Sequence, residues 1–212
     1  MSLELENLSI LKQGSTIFDP VNLVIKPGEI ATIMGPSGCG KSTLLSAVSG
    51  SLDNVFTLKG SIRLYGQDMI SLPMEKRNIG ILFQDDLLFP HMNIAGNLAF
   101  AIKEKTSRIQ KNIIIDNALK TAGLKGFEQR DPSSLSGGQK ARISLLRSLL
   151  AKPSALLLDE PFSKLDQTLK SKIRRFVFFQ IKKMNIPALL VTHDPNDCPE
   201  NGVILNLNKE KG

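Results

Sequence analysis

The sequence predicts an α/β fold: a mostly parallel core sheet, an N-terminal antiparallel β subdomain and an inserted α-helical subdomain. Three observations carry that reading. Short, nearly continuous apolar runs at 30–34, 79–83, 155–158 and 188–192 have the pattern of strands buried on both faces, as in a parallel sheet. Helical stretches alternate with these runs, which implies right-handed crossovers. A glycine-rich loop at 35–43 joins the first run to the apolar helix start Leu44-Leu45-Ser46-Ala47-Val48, the strand–loop–helix order that a phosphate-binding loop requires.

Along the chain, residues 3–10 and 21–26 alternate apolar and polar positions, with Val21, Leu23 and Ile25 on one side, as in half-buried antiparallel strands. Pro27-Gly28-Glu29 marks a turn ahead of the phosphate-loop strand. Residues 61–65 before Gly66 read as another short strand. From about 86 to 134 the pattern is helical without strand runs, the inserted subdomain of a single domain covering 1–212. Within it, Ile113, Ala118 and Leu119 suit an amphipathic helix ending near Gly123. Ser136 is placed to cap a helix at 140–150, along which Ile143, Leu146 and Leu150 recur at helical spacing. Residues 165–184 form a basic helix whose Phe176, Phe178 and Phe179 are expected in the core, and 203–207 an edge strand.

Composition bounds the function classes. The 212 residues are 42% hydrophobic and 22% charged, as in an ordinary globular protein. No apolar run approaches the roughly 18 residues that cross a bilayer, and acids stand at Glu4 and Glu6 where a signal peptide needs positive charge. The net charge of +7 is scattered, with no interleaving of basic and aromatic residues, so a solvated surface and no nucleic-acid partner is the expectation. Cys39 and Cys198 are the only cysteines, which excludes a disulfide framework or a cysteine metal cluster.

The chemistry begins with Gly35, Pro36, Ser37, Gly38, Cys39, Gly40, Lys41, Ser42 and Thr43. Glycines let backbone N–H groups turn inward onto a phosphate, and the helix N-terminus adds positive potential. Lys41 is of a length to reach β- and γ-phosphates, and the Ser42 hydroxyl is an Mg²⁺ ligand. Asp159 and Glu160 follow the run at 155–158, at the strand end where open α/β sheets bind ligands. Asp159 is expected to hold Mg²⁺, and Glu160 to act as general base or to orient water. Ser136, Gly137, Gly138 and Gln139 open a second glycine-rich helix. They read either as an N-cap alone or as a second anion site, and two chains packed head to tail would use both sites of each.

With these residues in place, the sequence resembles the ATP-binding subunits of ABC transporters over nearly its whole length. The loop at 35–43 resembles the Walker A motif, 135–139 the ABC signature and 156–160 the Walker B motif. Phe83-Gln84 is similar to the Q-loop, Ser163-Lys164-Leu165-Asp166 to the D-loop and Thr192-His193-Asp194 to the H-loop. The run at 80–91 looks like bacterial importer subunits. The resemblance implies a P-loop NTPase that binds ATP and Mg²⁺ and couples hydrolysis to transmembrane transport of a solute. It implies a homodimer when ATP-bound, docked on transmembrane permease subunits at the cytoplasmic face of the inner membrane, with a periplasmic binding protein in the full system. It assigns Gln84 to Mg²⁺ or the attacking water, His193 to the γ-phosphate and that water, and Asp166 to the dimer interface. Residues 86–92 either fill the helical core or line the groove for a membrane subunit. Relatives carry an adenine-stacking aromatic that falls, by spacing, near Leu11 or Lys12, and neither is aromatic. The alternatives within reach of the same motifs are an exporter or lipid-extraction ATPase and a soluble ABC ATPase acting on ribosomes or DNA.

Overall fold

A computed structural model of the chain describes residues 2–83, 87–103, 106–163, 165 and 167–207. The chain folds as two compact units. One comprises 1–81, 154–160 and 178–212, and the other 82–153 and 161–177.

The first unit holds two sheets. Strands β1 (Leu3–Lys12), β2 (Ser15–Thr16), β3 (Val21–Ile25), β5 (Phe56–Leu64) and β6 (Gln67–Asp68) form an antiparallel sheet, and β4 (Ile30–Met34) follows β3 into the second sheet. Val21, Leu23 and Ile25 are buried and the residues between them exposed, as alternation requires. Strand β5 starts at Phe56, earlier than the short strand read at 61–65, because it pairs with β1 on both sides of a register shift. The second sheet adds β7 (Ile79–Leu82), β8 (Ala155–Asp159), β9 (Ala188–Val191) and β10 (Ile204–Asn206) to β4, in the order β10-β4-β9-β8-β7. Pairs β10–β4, β4–β9 and β9–β8 are parallel. The central strands β8 and β9 are buried along nearly their full lengths. Strand β7, read as buried on both faces, is half-buried at Ile79, Gly80 and Ile81, and Phe83 beyond it is 44% exposed. Its place at the end of the sheet order explains the difference.

Helix α1 (Lys41–Ser49) shares one core with both sheets through Leu44 and Val48. Its far end is held by Arg77, a buried guanidinium that donates to the carbonyls of Ala47 at 2.8 Å, Val48 at 2.9 Å and Leu72 at 2.9 Å. A cation on the last carbonyls of a helix satisfies acceptors that have no intrahelical partner and complements the helix dipole.

The second unit is helical: α2 (Ile94–Ala101), α3 (Arg108–Thr121), α4 (Gly137–Leu150) and the first part of α5 (Gln167–Met184), whose last turns belong to the first unit. It therefore extends past the 86–134 insert read from sequence. Ile94, Leu98, Leu119, Ile143 and Leu146 form its core. In α3 the buried stripe is Ile115 and Leu119, one helical turn apart, while Ile113 is 55% exposed. In α5 the buried stripe is Ile173, Val177 and Ile181, so Phe179 points away from it and is 60% exposed, contrary to the core placement expected; Phe176 and Phe178 are half-buried. Residues 87–92 differ in their burial. Leu88 packs against the helical core, whereas Leu87 is 54% exposed. Buried Asn97 fixes this turn, accepting the Phe89 N–H at 2.8 Å and donating to the carbonyls of Phe89, Met92 and Asn93 at 3.1 Å each.

Candidate active site

Parallel pairing of β4, β9 and β8 brings their C-terminal ends to one edge of the sheet. Three segments leave that edge: the loop after Met34, Asp159-Glu160, and Thr192-His193. The sequence places its candidate residues on these segments, and strand order brings them together.

The loop rises from β4 to α1. Gly40 sits at the N-cap with φ 101°, and no side chain caps the helix start. A Cβ at Gly40 would lie 2.8 Å from Ile17 Cγ2 and Phe18 Cδ1, so this position needs glycine both for its left-handed backbone and for the close approach. Lys41 is 6% exposed, and its ammonium donates to the carbonyls of Gly35 at 2.7 Å and Pro36 at 2.9 Å. Pro36, Ser37 and Gly38 are exposed at the tip, while Cys39 is fully buried.

Asp159 ends β8. Burial chiefly, and the neighbouring Glu160 charge after it, push its carboxyl above the usual value, opposed by a hydrogen bond from Ser42 and by the Lys41 charge. Glu160 has φ 44°, a left-handed conformation that is strained for a residue with a side chain, and its N–H donates to Val191 O at 3.0 Å. This orients its carboxylate toward the end of β9, where Glu160 Oε1 lies 3.2 Å from His193 Nδ1. The two side chains are 23% and 61% exposed, so the pair is open to solvent. Behind His193, Thr192 and Asp197 are buried and joined by a 3.0 Å hydrogen bond. That pair is invisible in the sequence motif; the only trace of it is an acid five positions after the threonine.

Ser136 caps α4 in the helical unit, where its hydroxyl accepts the Gln139 N–H at 3.4 Å and Gln139 Oε1 accepts the Ser136 N–H at 3.0 Å. Gly138 is closely approached by Leu169, whereas Gly137 faces open space. Gln84, Lys164 and Asp166 lie outside the described residues, as does Asp86 of the run at 86–92. At the position expected for a base-stacking residue, Leu11 is half-buried in the β1–β2 pairing and Lys12 is exposed, its ammonium 6.0 Å from the Phe56 ring centre. A cavity of about 650 Å³ in the same unit lies at the opposite end of β4, lined by Pro27, Ile30, Lys182 and Val203 among others, away from these groups. Among the described residues no helix is long and apolar enough to cross a membrane.

Comparison with known proteins bears on the same residues. The profile of the ABC transporter family matches residues 18–163, which takes in the phosphate loop, the segment at 135–139 and Asp159-Glu160 but stops short of His193. The ABC transporter ATP-binding protein YnjD of Escherichia coli strain K12 is 43% identical over 202 residues, 95% of this chain and 93% of that protein. The spermidine/putrescine import ATP-binding protein PotA of Mesoplasma florum is 39% identical over 92% of this chain. The Fe(3+) ions import ATP-binding protein FbpC of Escherichia coli O157:H7 is 37% identical over 98% of it. The chain spans 55% and 59% of the length of these last two.

Proposed function

Because the chain belongs to the ABC transporter family, whose ATP-binding subunits are ATPases, we propose that it hydrolyses ATP to energise import of a solute across a bacterial inner membrane. In this reading it sits at the cytoplasmic face, docked on separate permease subunits, and pairs with a second copy when ATP is bound. Relatives named for importing spermidine/putrescine and Fe(3+) support import. A periplasmic binding protein completes such a system. The different solutes of those relatives leave the cargo to subunits other than this one.

The observation that carries the reading is the Glu160–His193 contact at 3.2 Å, on the same sheet edge as Lys41, Ser42 and Asp159. Lys41 exchanges the carbonyls of Gly35 and Pro36 for the β- and γ-phosphate oxygens, and the uncapped N–H groups at the start of α1 take the remaining phosphate contacts. Ser42 and Asp159 fit Mg²⁺, an ion that keeps several waters and takes only one or two protein oxygens. The crowded Asp159 and Glu160 charges favour a cation there. Held there, Mg²⁺ would neutralise phosphate charge. Glu160 accepts the proton of the attacking water, and His193 orients the Glu160 carboxylate and contacts the γ-phosphate. Gln84 is assigned to the metal or the water. Ser136, Gly137, Gly138 and Gln139 are assigned to the nucleotide held by the other copy, and Asp166 to the interface between copies.

Glu160→Gln tests this directly. Hydrolysis should fall by about 10²- to 10⁴-fold, while ATP binding persists and a dimer accumulates on size-exclusion chromatography. Turnover at the wild-type rate removes Glu160 from the mechanism.

A further inference from the structure

Behind the exposed His193 lies a buried polar knot that the family motif does not describe. Thr192 and Asp197 are 1% and 2% exposed. The Thr192 hydroxyl donates to Asp197 Oδ2 at 3.0 Å and accepts the Asp194 N–H at 3.1 Å. The Thr192 N–H donates to Ile33 O at 3.2 Å, on β4, one residue before Met34 and the phosphate loop. The Asp197 N–H returns to Asp194 O at 3.0 Å, and the Asp194 carboxylate accepts the Asn196 N–H at 2.9 Å. The backbone is thus pinned on both sides of His193, at residue 192 and at the amide of residue 194.

The direction of these bonds matters. A hydroxyl has one proton, and a carboxylate that takes it leaves the lone pairs turned toward the Asp194 N–H. Capping does not explain Asp197, because the short helical turn at Pro195–Asp197 is already capped by Asp194. Burying a carboxylate is costly unless it is hydrogen-bonded, and through Oδ2 Asp197 bonds the hydroxyl that sets the histidine's backbone.

We infer that Asp197 is a positioning residue for hydrolysis: through the Thr192 hydroxyl it holds the turn that presents His193 to Glu160. The inference rests on the reading of Glu160 and His193 as the working pair.

The test is ATPase kinetics on Thr192→Val, which removes the hydroxyl at nearly constant volume, and on Thr192→Ser, which keeps it. Loss of the hydroxyl should lower kcat about 10- to 100-fold, the scale of a small misplacement of a reacting group, with KM for ATP changed less than about twofold, since the phosphate loop is untouched. Thr192→Ser should recover most of kcat. Asp197→Ala should match Thr192→Val, and Asp197→Asn, which keeps an acceptor oxygen, should fall between it and wild type. In a His193→Ala background Thr192→Val should add nothing, because its effect passes through the histidine. Wild-type kcat in Thr192→Val, a matching loss in Thr192→Ser, or a full further loss on top of His193→Ala overturns the inference. Wild-type kcat in His193→Ala itself overturns the underlying reading instead, so the two failures are distinct.

Discussion

Helix α1 begins at Gly40 with no side chain on its first N–H groups, whereas α4 begins at Ser136 inside a closed capping box with Gln139. Both starts are glycine-rich and both carry a hydroxyl nearby, so the sequence leaves the α4 start open as either a cap alone or a second anion site. The structure builds them in opposite ways. The α1 start has no side-chain cap, and the helix is anchored at its other end by Arg77. At the α4 start the N–H groups of Ser136 and Gln139 are already taken within its own chain. An anion reaching α4 would compete with the Ser136–Gln139 pair, while one reaching α1 would compete with the hold of Lys41 on Gly35 and Pro36. A glycine-rich helix N-terminus therefore differs in readiness according to whether a side chain has already taken its N–H groups.

The contrast breaks most visibly at its glycines. Gly40→Ala forces a Cβ against Ile17 and Phe18 at φ 101°; unfolding in urea should show a loss of about 2–4 kcal/mol, from strain and overpacking together, and nucleotide binding should go with it. At the other start, Ser136→Ala removes the cap and should cost about 1 kcal/mol in the same measurement. A second comparison sharpens the cost of the open end. The carboxyl of Asp159 is raised above its usual value of 3.8. Its ionised form therefore opposes folding above the raised value, and the penalty disappears as pH falls below 3.8. Asp159→Asn should raise Tm near neutral pH, on the order of 2–4 °C, lose that gain in acid, and abolish hydrolysis. The smallest effect belongs to Gly137→Ala: no atom lies within 4 Å of the added carbon, and stability should stay within about 0.5 kcal/mol.

The parts of the fold that were legible in the sequence are those set by local pattern. The apolar runs gave β4, β8 and β9, and the glycine spacing gave the loop and the start of α1. What was illegible depends on neighbours far along the chain. Phe83 and the half-buried β7 follow from strand order, which no run of residues encodes. Phe179 lies outside the Ile173–Val177–Ile181 stripe because the partner surface selects one face of α5. In the site, Lys41, Ser42, Asp159, Glu160 and His193 were legible as motif residues. Their meeting at one edge came from parallel pairing, and the Thr192–Asp197 bond behind them from a turn that only three-dimensional packing closes. The strained φ of Glu160 had no signal in sequence at all.

The hold of Lys41 on Gly35 and Pro36 has a consequence for turnover. A phosphate that takes the ammonium obliges two backbone carbonyls to find water, so binding is an exchange of hydrogen bonds and not a simple gain. On the reading proposed above, the same exchange would run backward when a cleaved nucleotide departs: the carbonyls would recapture the ammonium and replace part of what the leaving phosphate gives up. The loop would thus carry an internal competitor that holds down phosphate affinity at both ends of the cycle, and the lysine that receives a nucleotide would also ease its discharge.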